Sequence, residues 1–284
     1  MKPDDLRSDP DAVNGHRTVE GPRVFSWNPK RPVFRSRLGA RVPLRRPVNN
    51  FGDLLGPLVV ELMLRERGAV PAPSGSPVTL FSVGSVLHFA ADGDVVWGAG
   101  VNGKIDRSAH TFRRLDVRAV RGPLSRAFLE SAGIAAPEVY GDPALLLPDL
   151  MPGLRRLAAT RTHRLTVVPN LNDAHLSGPT AADTMHPRSP LRQCLRRIAQ
   201  SELVVGSSLH GIIVAESLGI PARLVRSRAE HGFKYEDYYA GTGRPDFSPA
   251  ASVSEAVRLG GEPAPRWSPE PLRRAFPYDL WELA

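Results

Sequence analysis

The chain has 284 residues, of which 42% are hydrophobic, and its formal net charge is +8 at pH 7. This length suffices for a sizeable core and for two domains of ordinary size, and the apolar fraction excludes a largely disordered chain. The single cysteine, Cys194, excludes an internal disulfide and a thiolate metal cage. No run of 18 or more apolar residues is present, so we expect no membrane-spanning helix.

Arginine supplies most of the positive charge, since the only lysines are Lys2, Lys30, Lys104 and Lys234. An arginine-rich surface suits anionic partners such as phosphorylated substrates or lipid head groups. Codon bias in a GC-rich genome would give the same composition. Because the chain has no zinc-ligand spacing, no RNP motif and no long basic helix with interleaved aromatic residues, nucleic acid is not expected as a partner.

The chain begins with a polar segment and continues as alternating strands and helices. Residues 1–21 have no apolar stretch typical of a signal peptide, and we expect a poorly ordered arm there. The main predicted strands are VFSW (24–27), VTLFSVGS (78–85), VVWGAG (95–100), RLTVVPN (164–170), ELVVG (202–206) and IPARLV (220–225). The main predicted helices cover 54–67, 123–132, 190–201 and 210–219.

Strands that alternate with helices of 10–15 residues predict parallel sheets with helices on both faces. Two such series occur, so we predict an α/β protein with two Rossmann-like domains, residues 22–152 and 153–284, that face a cleft. The tail SPEPLRRAFPYDLWELA (268–284) must pack somewhere, and the N-terminal domain is the expected place. Ligands of such sheets bind outside the carboxyl ends of the strands.

His210 is predicted to lie at such an end. The stretch SSLHGIIVAESLGIP (207–221) follows a strand and begins a helix. A helix N-terminus binds phosphate or carboxylate, and Ser207 and Ser208 add hydroxyl donors and a cap. The helix dipole disfavours a protonated imidazole, whereas a bound anion favours it, so anion binding would make His210 a competent general acid. The alternative is a histidine that bonds a neighbouring loop carbonyl.

Three further segments could carry chemistry. In VRGPLSR (120–126), Arg121 leaves a strand just before a helix and could hold a carboxylate or phosphate bidentately, or it could be a solvated arginine. In NNFGDLLGP (49–57), Asn50 and Asp53 could cap a helix or bind sugar hydroxyls. In GFKYEDYYAGTGRP (232–245), Lys234 could bind an anion while the aromatic rings line a sugar site. A surface loop anchored by the rings is the alternative there.

Several common motifs are missing. The glycines of FSVGS and VWGAG do not form G-x-G-x-x-G, and the chain has no P-loop, H-E-x-x-H, D-x-D or G-x-S-x-G. Metal-dependent and acyl-hydrolase chemistry therefore has little support.

Taken in order, the motifs resemble those of the polysaccharide pyruvyl transferase family. They are NNFGDLLGP, FSVGSVL, VWGAGVN, VRGPLSR, VYGDPALLLP and VVGSSLHGIIVAESLGIPARLV, from about residue 49 onward. The segment FKYEDYY (233–239) resembles one found in members of the succinoglycan-type branch of that family, and the resemblance extends to about residue 245.

The resemblance implies a fold like that of the two-domain GT-B glycosyltransferases. It also implies transfer of pyruvyl from phosphoenolpyruvate onto two hydroxyls of one sugar, as a cyclic ketal, with release of phosphate. The family histidine falls on His210 as the acid or base, and the family arginine falls on Arg121. Ser207, Ser208 and Leu209 are expected to contact phosphoenolpyruvate, and Asn50 and Asp53 to bind the sugar acceptor. Because many relatives carry arginine where Ser208 stands, Lys234 or Arg226 is expected to supply the missing charge.

We therefore expect an enzyme with phosphoenolpyruvate as co-substrate and no metal or other cofactor. Its acceptor would be a cell-surface glycan or a lipid-linked oligosaccharide precursor. We expect it in the cytoplasm, with peripheral association at the inner face of the membrane left open. Two alternatives stay open: a GT-B glycosyltransferase that uses a nucleotide sugar, and a non-catalytic glycan-binding member of the fold.

Overall fold

A computed structural model describes residues 22–32, 44–70, 78–173 and 176–283, so the predicted arm over 1–21 lies outside the described part. The strands of this part are β1 (Arg23–Val24), β2 (Lys30–Pro32), β3 (Arg45–Pro47), β4 (Ala69–Val70), β5 (Thr79–Phe81), β6 (Val95–Trp97), β7 (Asp116–Ala119), β8 (Thr166–Val167), β9 (Val204–Gly206), β10 (Ala222–Leu224) and β11 (Glu282–Leu283). Its α-helices are α1 (Leu55–Arg67), α2 (Pro123–Glu130), α3 (Leu147–Leu150), α4 (Pro152–Ala158), α5 (Leu191–Ala199), α6 (Leu209–Ser217), α7 (Phe233–Gly241), α8 (Val253–Leu259) and α9 (Pro269–Arg274).

Two parallel sheets organise the fold. The first has the strand order β1–β5–β6–β7 and the second the order β10–β9–β8. All their strand pairs are parallel. β6 and β9 are buried along their whole length, as strands covered on both faces must be. The predicted α/β fold with parallel sheets is confirmed.

The helical periodicity of the sequence is realised in α1 and α5. One side of α1 is buried through Leu55, Leu58, Val59, Leu62 and Met63, the spacing that places side chains on a single helical face. The helix ends at Gly68, whose φ of 64° lies in the left-handed region. In α5 the predicted apolar face, which includes Cys194, is buried.

The C-terminal tail packs against the first sheet. The ring of Trp97 in β6 meets Phe276 edge-on, with ring centroids 4.7 Å apart. The indole Nε1 of Trp97 donates to the carbonyl of Leu272 at 2.8 Å. Arg118 of β7 pairs with Asp279 at 2.7 Å, and β11 pairs with β4. The tail therefore completes the core around the first sheet.

A buried ion pair joins the first half of the chain (22–150) to the second half (152–283). Arg121, just after β7, donates through Nε to Asp237 of α7 at 3.0 Å, and its Nη2 lies 2.9 Å from the same carboxylate oxygen. Both side chains are at most 1% exposed. Asp237 also accepts from the backbone N–H and the hydroxyl of Ser125, in the first turn of α2, at 2.9 and 2.6 Å. The carboxylate thus satisfies a guanidinium and a helix N-terminus together.

Gly122 allows the two halves to approach this closely. A Cβ at this position would lie 1.8 Å from the backbone carbonyl oxygen of Asp237. No side chain fits there, so the V-R-G-P motif serves the contact between α2 and α7.

Replacing Asp237 with Asn keeps the shape of the side chain but leaves the guanidinium of Arg121 buried without its counter-charge. We expect Asp237→Asn to lower the free energy of unfolding by about 3–5 kcal/mol. The measurement is urea unfolding followed by circular dichroism. The control is Asp279→Asn, which breaks a largely exposed pair with Arg118 and should cost less than about 1 kcal/mol. Equal effects of the two substitutions would contradict the role given to Asp237.

Candidate functional site

A cleft of about 370 Å³ lies where the carboxyl ends of both parallel sheets meet. Every strand of these two sheets is followed by a residue that lines the cleft: Trp27 after β1, Ser85 after β5, Asn102 after β6, Arg121 after β7, Asn170 after β8, Ser208 after β9 and Glu230 after β10. This is where ligands of parallel sheets bind. The cleft is therefore the candidate site.

His210 enters the cleft from the first turn of α6. The helix begins at its N-cap Ser208, whose hydroxyl accepts from the backbone N–H of Gly211 at 3.3 Å. The imidazole is 14% exposed, and its Nε2 lies 3.7 Å from Oδ2 of Asp142. Within the described part of the chain, neither of these two buried atoms has a hydrogen-bond partner.

Asp142 is a fully buried carboxylate with one oxygen in use. Its Oδ1 accepts from the backbone N–H of Ala144 and so caps the 3-10 helix Pro143–Leu146. Its Oδ2 faces the ring of His210. An Nε2–H of the ring can donate to this oxygen, and such a contact determines which ring nitrogen carries the proton. Hydrogen bonds of this kind are often long before a substrate is bound.

Gly52 borders the other nitrogen of the same ring. It belongs to the 3-10 helix Phe51–Leu54, and a Cβ on Gly52 would lie 2.3 Å from Nδ1 of His210. The imidazole of the second half therefore sits between two elements of the first half, one carrying Gly52 and the other Asp142.

Asn50 and Asp53 line the cleft beside Gly52 and are bonded to each other. Nδ2 of Asn50 donates to Oδ2 of Asp53 at 2.8 Å. Burial raises the pKa of the Asp53 carboxyl above its usual range, an effect that the bond from Asn50 partly offsets. Neither side chain caps α1 or the 3-10 helix before it, so the interpretation of Asp53 as a helix cap is wrong.

Two lysines and one glutamate form the charged end of the cleft. The carboxylate of Glu230 lies 3.0 Å from Nζ of Lys234 and 2.9 Å from Nζ of Lys104. Burial alone would raise the pKa of Glu230, but the two lysines bring it below its ordinary value. Burial lowers the pKa of Lys234, which Glu230 partly counteracts. Nζ of Lys234 also lies 5.0 Å from the ring centroid of Tyr235.

Arg121 borders the cleft but is largely committed to protein partners. Besides its ion pair with Asp237, its Nη1 donates to the hydroxyl of Ser85 at 2.7 Å and its Nη2 to the carbonyl of Val101 at 3.1 Å. It is a buried, paired arginine and not the solvated one considered as an alternative.

The aromatic segment around Lys234 is a helix and not a surface loop. It forms α7, in which Tyr235, Tyr238 and Tyr239 are buried. The hydroxyl of Tyr238 donates to Glu216 at 2.6 Å, and that of Tyr235 donates to the carbonyl of Ser207 at 2.7 Å. Tyr238 and Tyr239 therefore fill the core and line no sugar site, whereas Tyr235 lines the depression that contains Arg226.

Seven of the nine predicted site residues line the cleft: His210, Arg121, Ser208, Leu209, Lys234, Asn50 and Asp53. Ser207 does not line it, because its buried hydroxyl donates to Asp173 at 2.6 Å and accepts from the backbone N–H of Asn170 at 2.9 Å. Arg226 lines an adjoining depression together with Phe247 and Pro249; this depression shares Glu230 with the cleft. Of the two cations expected to replace the missing arginine, only Lys234 reaches the cleft.

Asp142 and Lys104 are among the residues of the site that carry no prediction from the sequence. Asp142 lies in VYGDPALLLP, a segment noted for its resemblance but given no chemical role. Lys104 follows VWGAGVN and is one of only four lysines. The scarcity of lysine was a usable signal for Lys104. Nothing in the spacing of the sequence pairs Asp142 with His210, 68 residues later.

Within the described residues, no group of three or more His, Cys, Asp or Glu side chains could hold a metal ion. No described helix has both the length and the apolar character required to cross a membrane.

Comparisons with known proteins show the family of the chain. The family model "Polysaccharide pyruvyl transferase" matches residues 74–227, more than half of the chain. The chain is 30% identical over 259 residues to the succinoglycan biosynthesis protein ExoV of Rhizobium meliloti (strain 1021), covering 81% of this chain and 77% of that protein. A functionally uncharacterised protein from Klebsiella pneumoniae has a crystal structure with a TM-score of 0.41 and 10% identity, covering 82% of this chain and 94% of that one. The chain belongs to the polysaccharide pyruvyl transferase family, and the resemblance to its succinoglycan-type branch is confirmed.

Proposed function

We propose that this protein transfers pyruvyl from phosphoenolpyruvate onto two hydroxyls of one sugar, in a cell-surface glycan or its lipid-linked precursor. The product is a cyclic ketal, and phosphate is released. The observation that carries the proposal is the position of His210, between the buried carboxylate of Asp142 and the Asn50–Asp53 pair, at the N-terminus of α6. A GT-B-like arrangement of the two halves around this cleft is part of the proposal.

Phosphoenolpyruvate is held at the charged end of the cleft. Its phosphate and carboxylate suit Lys104, Lys234 and the free N–H groups of the first turn of α6. Ser208 adds a hydroxyl at the same helix end. Arg121 contributes its positive charge and the N–H group that has no partner among the described residues, while Asp237 fixes the orientation of the guanidinium.

His210 supplies the proton that starts the reaction. With Nε2 directed at Asp142, Nδ1 is the nitrogen that exchanges a proton with the substrate. Proton transfer to the methylene carbon of phosphoenolpyruvate leaves a cationic C2. One sugar hydroxyl adds to C2, the C2–O bond to phosphate breaks, and the second hydroxyl closes the ketal. Of the two hydroxyl protons, one replaces that given to the methyl group and the other leaves with phosphate.

The acceptor sugar lies at the Asn50–Asp53 side. The raised pKa of the Asp53 carboxyl suits a group that takes a proton from a sugar hydroxyl as it attacks. Asn50 offers an amide that can orient a neighbouring hydroxyl.

The rival reading, a glycosyltransferase that uses a nucleotide sugar, would require an acidic residue to bind the ribose. Glu216, the acidic residue of α6, is buried and bonded to both terminal nitrogens of Arg244, at 2.6 and 2.8 Å. Because its carboxylate is committed to this pair and to Tyr238, Glu216 gives that reading no support.

The proposal is tested by phosphate release from phosphoenolpyruvate in the presence of sugar acceptors, with mass spectrometry of the products. We expect a product heavier than the acceptor by one pyruvic acid less one water. His210→Ala should lower kcat about 10²- to 10⁴-fold, the usual contribution of a general acid. Its far-ultraviolet circular dichroism spectrum should be unchanged, because the fold is kept. Near-normal turnover by this variant would remove His210 from the mechanism.

Asp142→Asn tests whether Asp142 orients the ring of His210 or only caps its own helix. The Oδ1 of asparagine can still accept from Ala144 and keep the cap, but its amide would donate to Nε2 of the ring and leave the proton on Nδ1. We expect kcat to fall at least about tenfold, with less change in KM for phosphoenolpyruvate. The ¹⁵N spectrum of His210 should report the exchange of tautomer. An unchanged tautomer with unchanged kcat would show that Asp142 only caps its helix.

A matched pair of substitutions tests whether Lys234 or Arg226 supplies the positive charge that binds phosphoenolpyruvate. Lys234→Met should raise KM for phosphoenolpyruvate about tenfold or more, because a charge-assisted contact is lost. Arg226→Met, which removes a cation outside the cleft, should leave KM unchanged. The opposite result would place the donor in the depression beside Phe247.

A further inference from the structure

One wall of the cleft is aromatic and unusually exposed. Phe89 is 47% exposed, and Trp27, which lines the same cleft, is half-buried. The exposed large hydrophobic side chains of the described part are Leu44, Phe89, Val257 and Leu259. Of these, Phe89 is the one that lines the cleft. An apolar ring left in contact with water inside a site marks a surface that a ligand covers.

The ring of Phe89 is supported by the core. Phe25 stacks on buried Phe81 with centroids 4.7 Å apart, and on Phe89 with centroids 5.2 Å apart. These three rings form a continuous stack from the first sheet to the cleft. Phe89 therefore presents its ring from a fixed position and loses little conformational freedom when a ligand binds.

Trp27 is held next to the acceptor-side residues. The hydroxyl of Ser26 donates to the carbonyl of Asp53 at 2.7 Å, and the side chain of Asn28 bonds Asn49 at 2.8 and 3.0 Å. The residues on both sides of Trp27 are thus tied to the segment that carries Asn50 and Asp53. The guanidinium of Arg31 lies 5.9 Å from the Trp27 ring centroid.

This combination has the chemistry of a carbohydrate subsite. A pyranose ring has apolar C–H faces that stack on aromatic rings, and hydroxyls at its edge that need polar partners. Arg31 and Asn102, which line the cleft, offer such partners. A nucleobase could also stack on these rings, but the direct tie of Trp27 to the Asn50–Asp53 segment favours the sugar.

We infer that Trp27 and Phe89 form a second saccharide subsite, which binds the sugar residue adjoining the one that receives pyruvyl. The substrate class is therefore an oligosaccharide of at least two residues and not a free monosaccharide. This inference rests on the proposed function in one respect, namely that the acceptor lies at the Asn50–Asp53 side.

The test compares acceptors of increasing length. Binding of gluco-, galacto- and manno-oligosaccharides of one to four residues is measured by calorimetry without phosphoenolpyruvate, and transfer is then measured with it. We expect affinity to rise from one residue to two. Phe89→Ala and Trp27→Ala should each weaken oligosaccharide binding about tenfold and leave monosaccharide binding and KM for phosphoenolpyruvate unchanged.

Two control variants keep the result specific. Phe89→Tyr retains the ring and should bind like the wild type, whereas Val257→Ala removes an exposed apolar side chain outside the cleft and should have no effect. Ring-dependent saccharide binding without any pyruvyl transfer would support the subsite and refute the proposed function. Pyruvyl transfer that is insensitive to both ring deletions would refute the subsite alone. No saccharide binding by the wild type, or ring-dependent binding of uridine diphosphate in its place, would also overturn the subsite.

Discussion

The buried contact between Arg121 and Asp237 is the constraint on which the geometry of the cleft depends. Removing two charges from water is costly and is offset only when every donor and acceptor finds a partner. Here Asp237 accepts from Arg121 and from both donors of Ser125, while Arg121 also reaches Ser85 and Val101. Because Lys234 stands three residues before Asp237 in α7, the contact that joins the halves also places a cation at the charged end of the cleft.

The positive charge at this end of the cleft is partly neutralised before any ligand arrives. Glu230 is shared by Lys104, which is exposed, and Lys234, which is largely buried. The proposed anionic donor would compete with Glu230 for these lysines, which would favour ligands of high charge density. Ser208, where the family resemblance implies arginine in many relatives, fits this scheme, since its hydroxyl caps α6 and leaves the positive charge to the lysines.

The sequence predicted the elements better than the contacts between them. Hydrophobic periodicity identified α1, α5 and the strands around β9, because burial of one face leaves a regular pattern. It gave no helix for α7, although the buried residues Tyr235, Tyr238 and Tyr239 have the i, i+3, i+4 spacing of a single helical face. The pairing of His210 with Asp142 and of Arg121 with Asp237 could not be predicted, because each joins segments brought together only by the packing of the two halves. Arg226 shows the converse: it follows β10 closely but lies in the adjoining depression, since a position in the chain does not give the direction of a side chain.

The proposed acid or base and the proposed acceptor site belong to different halves, and their separation is set by that packing. His210 comes from the second half, whereas Gly52, Asp53 and Asp142 come from the first. The close approach of Gly52 to Nδ1 of His210 brings this nitrogen, which we propose exchanges the proton, next to the segment that carries Asn50 and Asp53. A shift of α7 on α2 would change this distance without altering any residue that contacts a substrate, and misplacement by about 1 Å is enough to slow a reaction severely. The glycine of V-R-G-P, which lets α7 approach α2, would therefore contribute to the proposed reaction through geometry, although it lies away from His210.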